Sequence, residues 1–369
     1  MPTKTCVYVP VETLTNFMID ALAKMGVPPD DARIVAEILL ASDLCGVSSH
    51  GVAHLRMYYR RIQKGLQLPV TDWSIVRATP TTAVIDGGNG MGMVVGFNAM
   101  RIAIEKAREH GLGAVAVRNS SHYGIAGYYT RMAAREGMVG MSFTNAHPSI
   151  APTFGNEPML GTNPIAFSAP TDEEFPFTFD AATSIVARGK IEVAKRSGKP
   201  IPTGWVMRED GSLPTDATHL IEEMTRNEAA LLPLGGSGEM MGGHKGYGLS
   251  TMVEIFSAAF QDGAFLSELH DTDKDGNPHF LRIGHFFLAM NVEHFLPLGS
   301  FRKTAGSIVR ELRASRKAPG EERIYSAGEK ADATAARVMA EGVEIPPGLQ
   351  RSLNKLRAEL NIENHDLGF

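Results

Sequence analysis

Apolar residues near the start of the chain recur at intervals of three and four, the spacing that places side chains on one face of an α-helix. This pattern predicts a first helix that ends at Gly26 and a second that begins after Pro29. A third helix is predicted over Leu55–Lys64, ended by Gly65. The buried stripes are Leu14, Phe17, Met18, Leu22 and Met25 in the first helix and Ile34, Val35, Ile38 and Leu39 in the second.

From Thr82 onward, short apolar runs alternate with amphipathic segments. Such alternation is typical of a sheet covered by helices on both faces, so we predict an α/β fold. The predicted strands are Thr82–Asp86, Gly113–Val117, Val139–Thr144 and Ile283–Met290. The predicted helices are Val94–Glu109, Gly127–Glu136, Met252–Phe260 and Leu349–Leu360.

Composition narrows the class of protein. The 369 residues, 43% hydrophobic and 21% charged, are enough for two or three domains with a large core. A formal charge of -5 argues against a nucleic-acid partner. Two cysteines, Cys6 and Cys45, exclude a disulfide framework and a four-cysteine zinc site. Because no apolar run is long enough for a membrane span, and Val7–Val11 is too short for a signal-peptide core, we expect a cytoplasmic enzyme without a membrane partner.

Three segments resemble functional motifs but lack an essential residue. Asp271 begins a calcium-loop pattern whose twelfth position, normally a bidentate Glu, is Arg282. Gly87–Gly96 follows a strand and precedes a helix, yet its glycines do not have the G-x-G-x-x-G spacing of a Rossmann pyrophosphate loop. Gly235–Glu239 lacks the second glycine of a nucleophile elbow. We therefore predict no calcium site, no Rossmann loop and no serine-hydrolase centre.

Two histidines stand in similar Ser-His-Gly and Ser-His-Tyr-Gly settings. His50 follows the second helix, within Ser48–Gly51, and His122 lies at the end of a predicted strand, within Asn119–Gly124. Catalytic groups often follow strand ends, and small neighbours let a ligand approach. The alternative for each is a hydrogen-bonded structural histidine. The repetition favours a catalytic role, which requires the N-terminal helices to pack against the sheet so that the two segments converge.

Two glycine-containing segments could bind a ligand. In Gly161–Pro164, Asn163 precedes a proline and is pushed to extended geometry, so a stiff turn would offer amides and a carboxamide. Gly242–Gly248 places Lys245 ahead of a helix predicted to begin near Leu249, which suits an anion such as a phosphate. The alternatives are an ordinary turn and a flexible turn with a solvated lysine.

The combination of segments resembles the malate/L-lactate dehydrogenase family, which also contains L-sulfolactate and ureidoglycolate dehydrogenases, diketogulonate reductase and cyclic imino-acid reductases. The resemblance covers Val11–Arg323 and rests on Ser49–Gly51, Asn119–Gly124, Gly161–Pro164, His244–Gly248 and Pro319–Glu321 in that order. It implies a mixed-sheet, non-Rossmann, L-sulfolactate dehydrogenase-like fold with an N-terminal helical region, working as a homodimer. It also implies an NAD(P)-dependent oxidoreductase for a small 2-hydroxy or 2-oxo acid of the malate or L-lactate type, with NAD slightly preferred over NADP.

The resemblance also implies which residues form the site. The catalytic residues would be His122, His50 and Ser49. The substrate would contact His54, Arg56, Thr144, Asn145, His147, Thr162 and Asn163. The cofactor would contact Asp180, Ala181, Ala182, His244, Lys245, Pro319, Gly320 and Glu321, and no metal is expected. Residues 1–76 would form the helical region with the first substrate motif, 77–118 with 300–369 the sheet core and C-terminal helices, and 119–299 the cofactor- and substrate-binding domain.

The expected chemistry needs an acid and an anion-binding group. Hydride transfer to a 2-oxo carbon builds negative charge on the carbonyl oxygen, and a histidine of ordinary pKa, about 6.5, can donate the proton. We assign that role to His122; His50 would orient the carbonyl or act in its place, and Ser49 would hydrogen-bond His50 or the substrate.

The substrate's carboxylate needs a cationic or amide partner. At this point the chain differs from the usual pattern of the family that it resembles. Many members carry Arg four residues after the first motif histidine, where this chain has His54. Arg56, Arg60 or His54 would take the role, or the substrate is held differently. The alternative for Arg56, Arg60 and Arg61 is a solvated helix face.

Other functions stay open. A related enzyme would reduce a cyclic imino acid, or another 2-oxo acid of the diketogulonate or ureidoglycolate type, with the same hydride and proton donor. A metal-dependent hydrolase is suggested only by the 12 histidines and is disfavoured, because no H-E-x-x-H or other close ligand pair occurs. A non-catalytic protein would bind NAD(P)H without turnover.

Overall fold

The computed structural model describes residues 6–273 and 275–369. Its strands are β1 (Val7–Val9), β2 (Ser74–Ala78), β3 (Thr82–Asp86), β4 (Leu112–Ser120), β5 (Met138–Thr144), β6 (Ile165–Ala169), β7 (Phe177–Ala181), β8 (Val206–Arg208), β9 (Ala229–Leu231), β10 (Ile283–Asn291) and β11 (Val343–Ile345). Its helices are α1 (Val11–Lys24), α2 (Pro29–Leu44), α3 (Leu55–Gln63), α4 (Gly92–His110), α5 (Ala126–Arg135), α6 (Arg188–Ser197), α7 (Leu220–Thr225), α8 (Gly243–Ala258), α9 (Leu298–Ala314), α10 (Glu329–Glu341) and α11 (Pro347–Leu360).

The main sheet has seven strands in the order β2-β3-β4-β10-β5-β6-β7. Its strands β3 and β4 are parallel, and the other neighbouring pairs are antiparallel. The central strand β10 pairs along its length with both β4 and β5, which places Phe286 opposite Ala116 on one side and Phe143 on the other. The sheet is therefore mixed, as predicted.

Helices cover both faces of this sheet because side chains along a strand point alternately to its two faces. Val115 and Val117 of β4 belong to the large core beneath α4 and α5. Ala116, between them, belongs to a second cluster with Phe286 and with Val253 of α8. The three-layer arrangement places the end of β4, and the residues that follow it, at the edge of the helical layer.

The N-terminal helices join that layer. The predicted stripes of α1 and α2, such as Leu14, Phe17, Ile38 and Leu39, are fully buried in the large core. The short strand β1 pairs with β11, so a segment of the N-terminal part of the chain is hydrogen-bonded to a segment of its C-terminal part. This packing holds the segment between α2 and α3, which contains His50, against the sheet.

A smaller unit lies between β5 and α8. Helices α6 and α7 and the hairpin of β8 and β9 surround a separate apolar cluster that includes Ile191, Val206, Leu220 and Leu231. None of these elements was predicted from the hydrophobic pattern, because each has ten residues or fewer and contributes few side chains to a core.

The long predicted elements are confirmed within two residues at each end, with two corrections. Strand β4 ends at Ser120, three residues beyond the predicted end at Val117. Helix α8 begins at Gly243, so the segment predicted to be a glycine-rich turn already forms its first turns. The reason is close packing: a Cβ on Gly243 would lie 2.0 Å from the carbonyl oxygen of Gly236, and one on Gly246 would lie 2.2 Å from that of Leu234.

The proposed domain boundary between residues 118 and 119 falls within β4. No helix in the described ranges is long and apolar enough to cross a membrane.

Candidate active site

Three histidines from distant parts of the sequence converge beside α3. His50 and His54 lie on two short 3-10 turns, Ser48–His50 and Val52–His54, and His122 lies two residues beyond β4. The ring centroids are 5.5 Å apart for His50 and His122, 4.9 Å for His54 and His122, and 5.4 Å for His50 and His54. The convergence of the N-terminal motif with the strand-end motif, predicted from the sequence, is confirmed.

His122 is held by a hydrogen bond from α3. The Tyr58 hydroxyl lies 2.7 Å from its Nδ1, and the backbone N–H of Gly124 points at the same nitrogen from 3.4 Å. The Tyr58 hydroxyl can donate to Nδ1 or accept from it, so this contact is compatible with a ring proton on either nitrogen. The ring is partly buried, and its Nε2 is the nitrogen left to meet a ligand.

The histidines are neutral at pH 7. Burial lowers the pKa of His122 well below its ordinary value, and the charge of Arg61, with His54 and His50 whenever they are protonated, lowers it further. Burial, His50 and Arg61 lower the pKa of His54 to about 4, and burial lowers that of His50. This corrects the expectation of a histidine with an ordinary pKa, and the physical cause is that charging a buried imidazole costs solvation.

A buried carboxylate shapes the turn that carries His50. Oδ2 of Asp43, near the end of α2, accepts a hydrogen bond of 2.8 Å from the N–H of Val52. A Cβ on Gly51 would lie 1.9 Å from the other carboxylate oxygen, so only glycine fits there. Beside it, the Ser49 hydroxyl lies 2.9 Å from Nδ1 of His50, the pairing expected from the sequence.

The two arginines of α3 that are at least partly buried point in different directions. Arg56 donates to Glu359 of α11 at 3.1 Å and so faces the C-terminal helix. Arg61 lies three residues after Tyr58 and seven after His54, a spacing that places it on the face of α3 that meets the histidines. Its charge accordingly contributes to lowering the pKa of His54, His122 and His147. The third arginine of α3, Arg60, is exposed.

His147 is paired with His270, whereas Thr144 and Asn145 are bonded into the fold. Nδ1 of His147 lies 2.9 Å from the carbonyl of Pro148, and Nε2 lies 3.2 Å from His270. The buried Thr144 hydroxyl can donate to the carbonyls of Asn145 and Gly284 and accepts from Nδ1 of His285 at 2.8 Å.

A second buried network joins the Gly161–Pro164 turn to α8. The amides of Asn145 and Asn163 donate to the two carboxylate oxygens of Glu254, at 3.2 and 2.8 Å. The Asn163 backbone has φ of 38°, a left-handed conformation that asparagine tolerates, rather than the extended geometry predicted before proline. Neighbouring Thr162 accepts through its carbonyl oxygen from the N–H of Thr183 at 2.9 Å. The carboxamides thus brace the turn through Glu254.

The segments predicted to contact the cofactor lie on three elements. His244 and Lys245 are exposed on the first turn of α8, and Pro319–Glu321 form an exposed turn after α9 in which Gly320 has φ of 87°. Asp180 ends β7 with Ala181, is followed by Ala182, and accepts from the N–H of Gly127 at 2.7 Å. No hydrogen bond or ion pair between described residues joins these segments to the histidines.

Several residues of the site were missed from the sequence. Tyr58 and Arg61 follow His54 by four and seven residues, a helical spacing that places all three on one face. That signal was available and would have identified both. Asp43, Glu254 and His285 carried no such signal, because each acts through contacts made only in the tertiary structure.

Comparison with known proteins gives consistent matches over nearly the whole chain. The sequence profile of the malate/L-lactate dehydrogenase family matches residues 9–354. A malate dehydrogenase of Pyrococcus horikoshii is 44% identical over 96% of each chain. The crystal structure of an Entamoeba histolytica malate dehydrogenase has a TM-score of 0.93 and 43% identity, covering 97% of this chain and 99% of that one. The sulfolactate dehydrogenase of Methanocaldococcus jannaschii has a TM-score of 0.86 and 35% identity, covering 97% and 98%. The predicted L-sulfolactate dehydrogenase-like fold is confirmed.

Proposed function

This chain belongs to the malate/L-lactate dehydrogenase family, and its relatives the malate and sulfolactate dehydrogenases are oxidoreductases acting on CH–OH groups. On that premise we propose that it interconverts a small 2-hydroxy acid and its 2-oxo acid with NAD(H) or NADP(H). We propose malate and oxaloacetate as the reacting pair, with NAD as the preferred cofactor. The similarity to two malate dehydrogenases, at 44% and 43% identity, supports this choice of substrate.

The observation that carries the proposal is the neutral, oriented imidazole of His122. Its Nδ1 is hydrogen-bonded to the Tyr58 hydroxyl, which leaves Nε2 to meet a ligand. In the oxidation direction, the neutral tautomer of His122 with its proton on Nδ1, next to the Tyr58 hydroxyl, takes the hydroxyl proton of the substrate at Nε2; in the reduction direction, the protonated ring donates Nε2–H to the developing alkoxide. His50, with its ring 5.5 Å from that of His122, supports the substrate oxygen, and Ser49 fixes its orientation.

The residues proposed to hold the cofactor fit a dinucleotide. Lys245 and the first turn of α8 present a positive charge and a helix N-terminus, which suit a diphosphate. The space beside Gly248 is open, so a ligand can approach the helix closely. The carboxylates of Asp180 and Glu321 suit ribose hydroxyls. When bound, the nicotinamide supplies or accepts the hydride at C2 of the substrate.

The test is turnover with a panel of oxaloacetate, pyruvate, sulfopyruvate and a cyclic imino acid, each with NADH and NADPH, followed by nicotinamide absorbance. We expect oxaloacetate with NADH to have the highest kcat/KM. His122→Gln should lower kcat by about 10²- to 10⁴-fold, the usual contribution of general acid–base catalysis. The exposed His110→Gln is the control and should keep full activity. Near-normal turnover by His122→Gln would contradict the role of His122, and preference for the imino acid would establish the alternative substrate class.

We also propose a cytoplasmic homodimer. Leu249, Met252 and Ile255 of α8 are at least 36% exposed in the single chain, an apolar surface of the kind that a second copy covers. Both cysteines are free thiols, which suits a reducing compartment. Light scattering should give a mass of twice 39.8 kDa.

A further inference from the structure

Arg61 is a partly buried cation with no protein partner at one of its nitrogens among the described residues. It lies on α3, seven residues after His54, and its Nη1 is buried without a hydrogen-bond partner among the described residues. Burial lowers its pKa, yet a guanidinium stays charged at any pH at which proteins fold. A buried charge without a counter-charge lowers the stability of the folded protein. Arg61 is therefore expected to have a role other than stabilising the fold.

The surroundings of Arg61 are polar but supply no anion. The Tyr58 hydroxyl of the same helix is hydrogen-bonded to His122, and the histidines on which Arg61 acts are neutral at pH 7. Asp271 is the one carboxylate whose charge acts noticeably on Arg61; it is exposed, and no ion pair links the two in the described chain. The site thus has one fixed positive charge beside its acid–base group.

The other cations of α3 are unsuitable for binding an anion at this position. Arg56 is paired with Glu359 of α11. Arg60 and Lys64 are exposed on other faces of the helix. Among the cations of this helix, Arg61 alone is partly buried, without an ion-pair partner in the described ranges, and on the face that meets the histidines.

We propose that Arg61 binds the carboxylate of the substrate, so that the site takes anionic 2-hydroxy and 2-oxo acids and excludes uncharged alcohols and ketones. A guanidinium and a carboxylate form two parallel hydrogen bonds, which would satisfy the free Nη1 and fix the orientation of C2 relative to His122. This assignment rests on the proposed function for the identity of the reacting group, but anion binding by Arg61 does not require turnover.

The test compares Arg61→Met, which keeps the length of the side chain and removes its charge, with Arg61→Lys and with the control Lys64→Met. Lys64→Met removes an exposed positive charge from the end of the same helix. Binding of malonate, a dicarboxylate without a reducible group, is measured by calorimetry, and KM and kcat for oxaloacetate are measured separately. Thermal unfolding reports whether each variant is folded.

We expect Arg61→Met to raise the malonate Kd and the KM for oxaloacetate by about 10- to 100-fold, the effect of losing a charged hydrogen-bonded pair. Arg61→Lys should be intermediate, because it keeps the charge and loses the fork. Lys64→Met should match the wild type. The melting temperature of Arg61→Met should be unchanged or higher, since the substitution removes an uncompensated buried charge.

The inference is overturned if the wild type does not bind malonate, or if Arg61→Met binds malonate within threefold of the wild type. A fall in melting temperature together with unchanged binding would show that Arg61 is structural. If malonate binding depends on Arg61 and the wild type reduces no 2-oxo acid, the proposed function fails while this assignment stands. If oxaloacetate is reduced equally by the wild type and Arg61→Met, the assignment fails while the function stands.

Discussion

His122 has two neighbours that determine its proton chemistry. The Tyr58 hydroxyl occupies Nδ1 at 2.7 Å, and the charge of Arg61 adds to burial in lowering the pKa of the ring. The free protein therefore contains a neutral imidazole, ready to act as a base. A substrate carboxylate that neutralises Arg61 removes one cause of the lowered pKa, so substrate binding should raise the pKa of His122 and favour its action as an acid.

The pH dependence of the reaction should show that His122 is neutral in the free protein. Because kcat/KM reports the free enzyme, the value for oxidation of the 2-hydroxy acid should rise through a pKa below 6.5 and be level by pH 7. For reduction, which needs the protonated ring, kcat/KM should fall as pH rises through the same value. Steady-state kinetics between pH 5 and 9 would check this prediction, and a limb centred at or above pH 7 would contradict it.

Residue spacing predicted part of this site. The Ser-His settings identified His50 and His122, and the pattern of α3 contained Tyr58 and Arg61 at helical spacing from His54. The protonation state could not be predicted from the sequence, because the pKa of His122 depends on burial and on charges contributed by residues 61 positions or more away along the chain.

At the scale of elements, the N-terminal turns of α8 depend on glycine for packing. Gly243→Ala would place a Cβ 2.0 Å from the carbonyl oxygen of Gly236, and we expect it to lower the free energy of unfolding by about 1 to 3 kcal/mol. Gly248, in the same helix, has nothing within 4 Å of such a Cβ, so Gly248→Ala should raise stability by about 0.5 to 1 kcal/mol. Urea unfolding of both variants is the measurement; equal effects would show that packing does not distinguish the two glycines.

Asp43 links α2 to the turn that carries His50, and its titration should affect stability. Burial raises the pKa of this carboxyl to about 7, above its value in the unfolded chain. The folded state therefore holds the proton more tightly, and ionisation of Asp43 opposes folding. The stabilisation that the protonated Asp43 carboxyl adds to the free energy of unfolding is complete below about pH 4 and is lost as pH rises through about 7.

Asp43→Asn keeps an acceptor for the N–H of Val52 and cannot ionise. Relative to this variant, the wild type should lose about 2 to 4 kcal/mol of unfolding free energy between pH 4 and 8. Chemical denaturation across that range is the measurement, with the exposed Asp262→Asn as the control. Parallel pH curves for the wild type and Asp43→Asn would refute the assignment.

Over the whole molecule, the C-terminal segment is tied to the sheet layer by a bidentate ion pair. Both guanidinium nitrogens of Arg131, on α5, lie 2.7 Å from the carboxylate oxygens of Asp332, on α10. The side chains are 18% and 25% exposed, so removing one leaves the other partly buried without its partner. This contact joins elements about 200 residues apart and closes the fold around the helical layer.

Arg131→Met should lower the free energy of unfolding by about 1 to 3 kcal/mol, because Asp332 loses its partner. The double variant Arg131→Met, Asp332→Asn should recover part of this loss. Arg101→Met, which breaks the exposed pair with Glu105, should change stability by no more than about 0.5 kcal/mol. Unfolding curves for the three variants are the measurement, and equal losses for Arg131→Met and Arg101→Met would show that burial of the pair is unimportant.

The sequence by itself determined the long elements and the segments that meet at the site. Hydrophobic periodicity is a local property, so α1, α2, α4 and the strands of the sheet could be read from neighbouring residues, and the histidine motifs from their own settings. Only the tertiary structure decided that Nη1 of Arg61 is buried without a partner among the described residues, that Asn145 and Asn163 brace a turn through Glu254, and that α8 begins at Gly243. Each of these depends on burial or close approach between segments distant in the chain, and local pattern contains no information about such contacts.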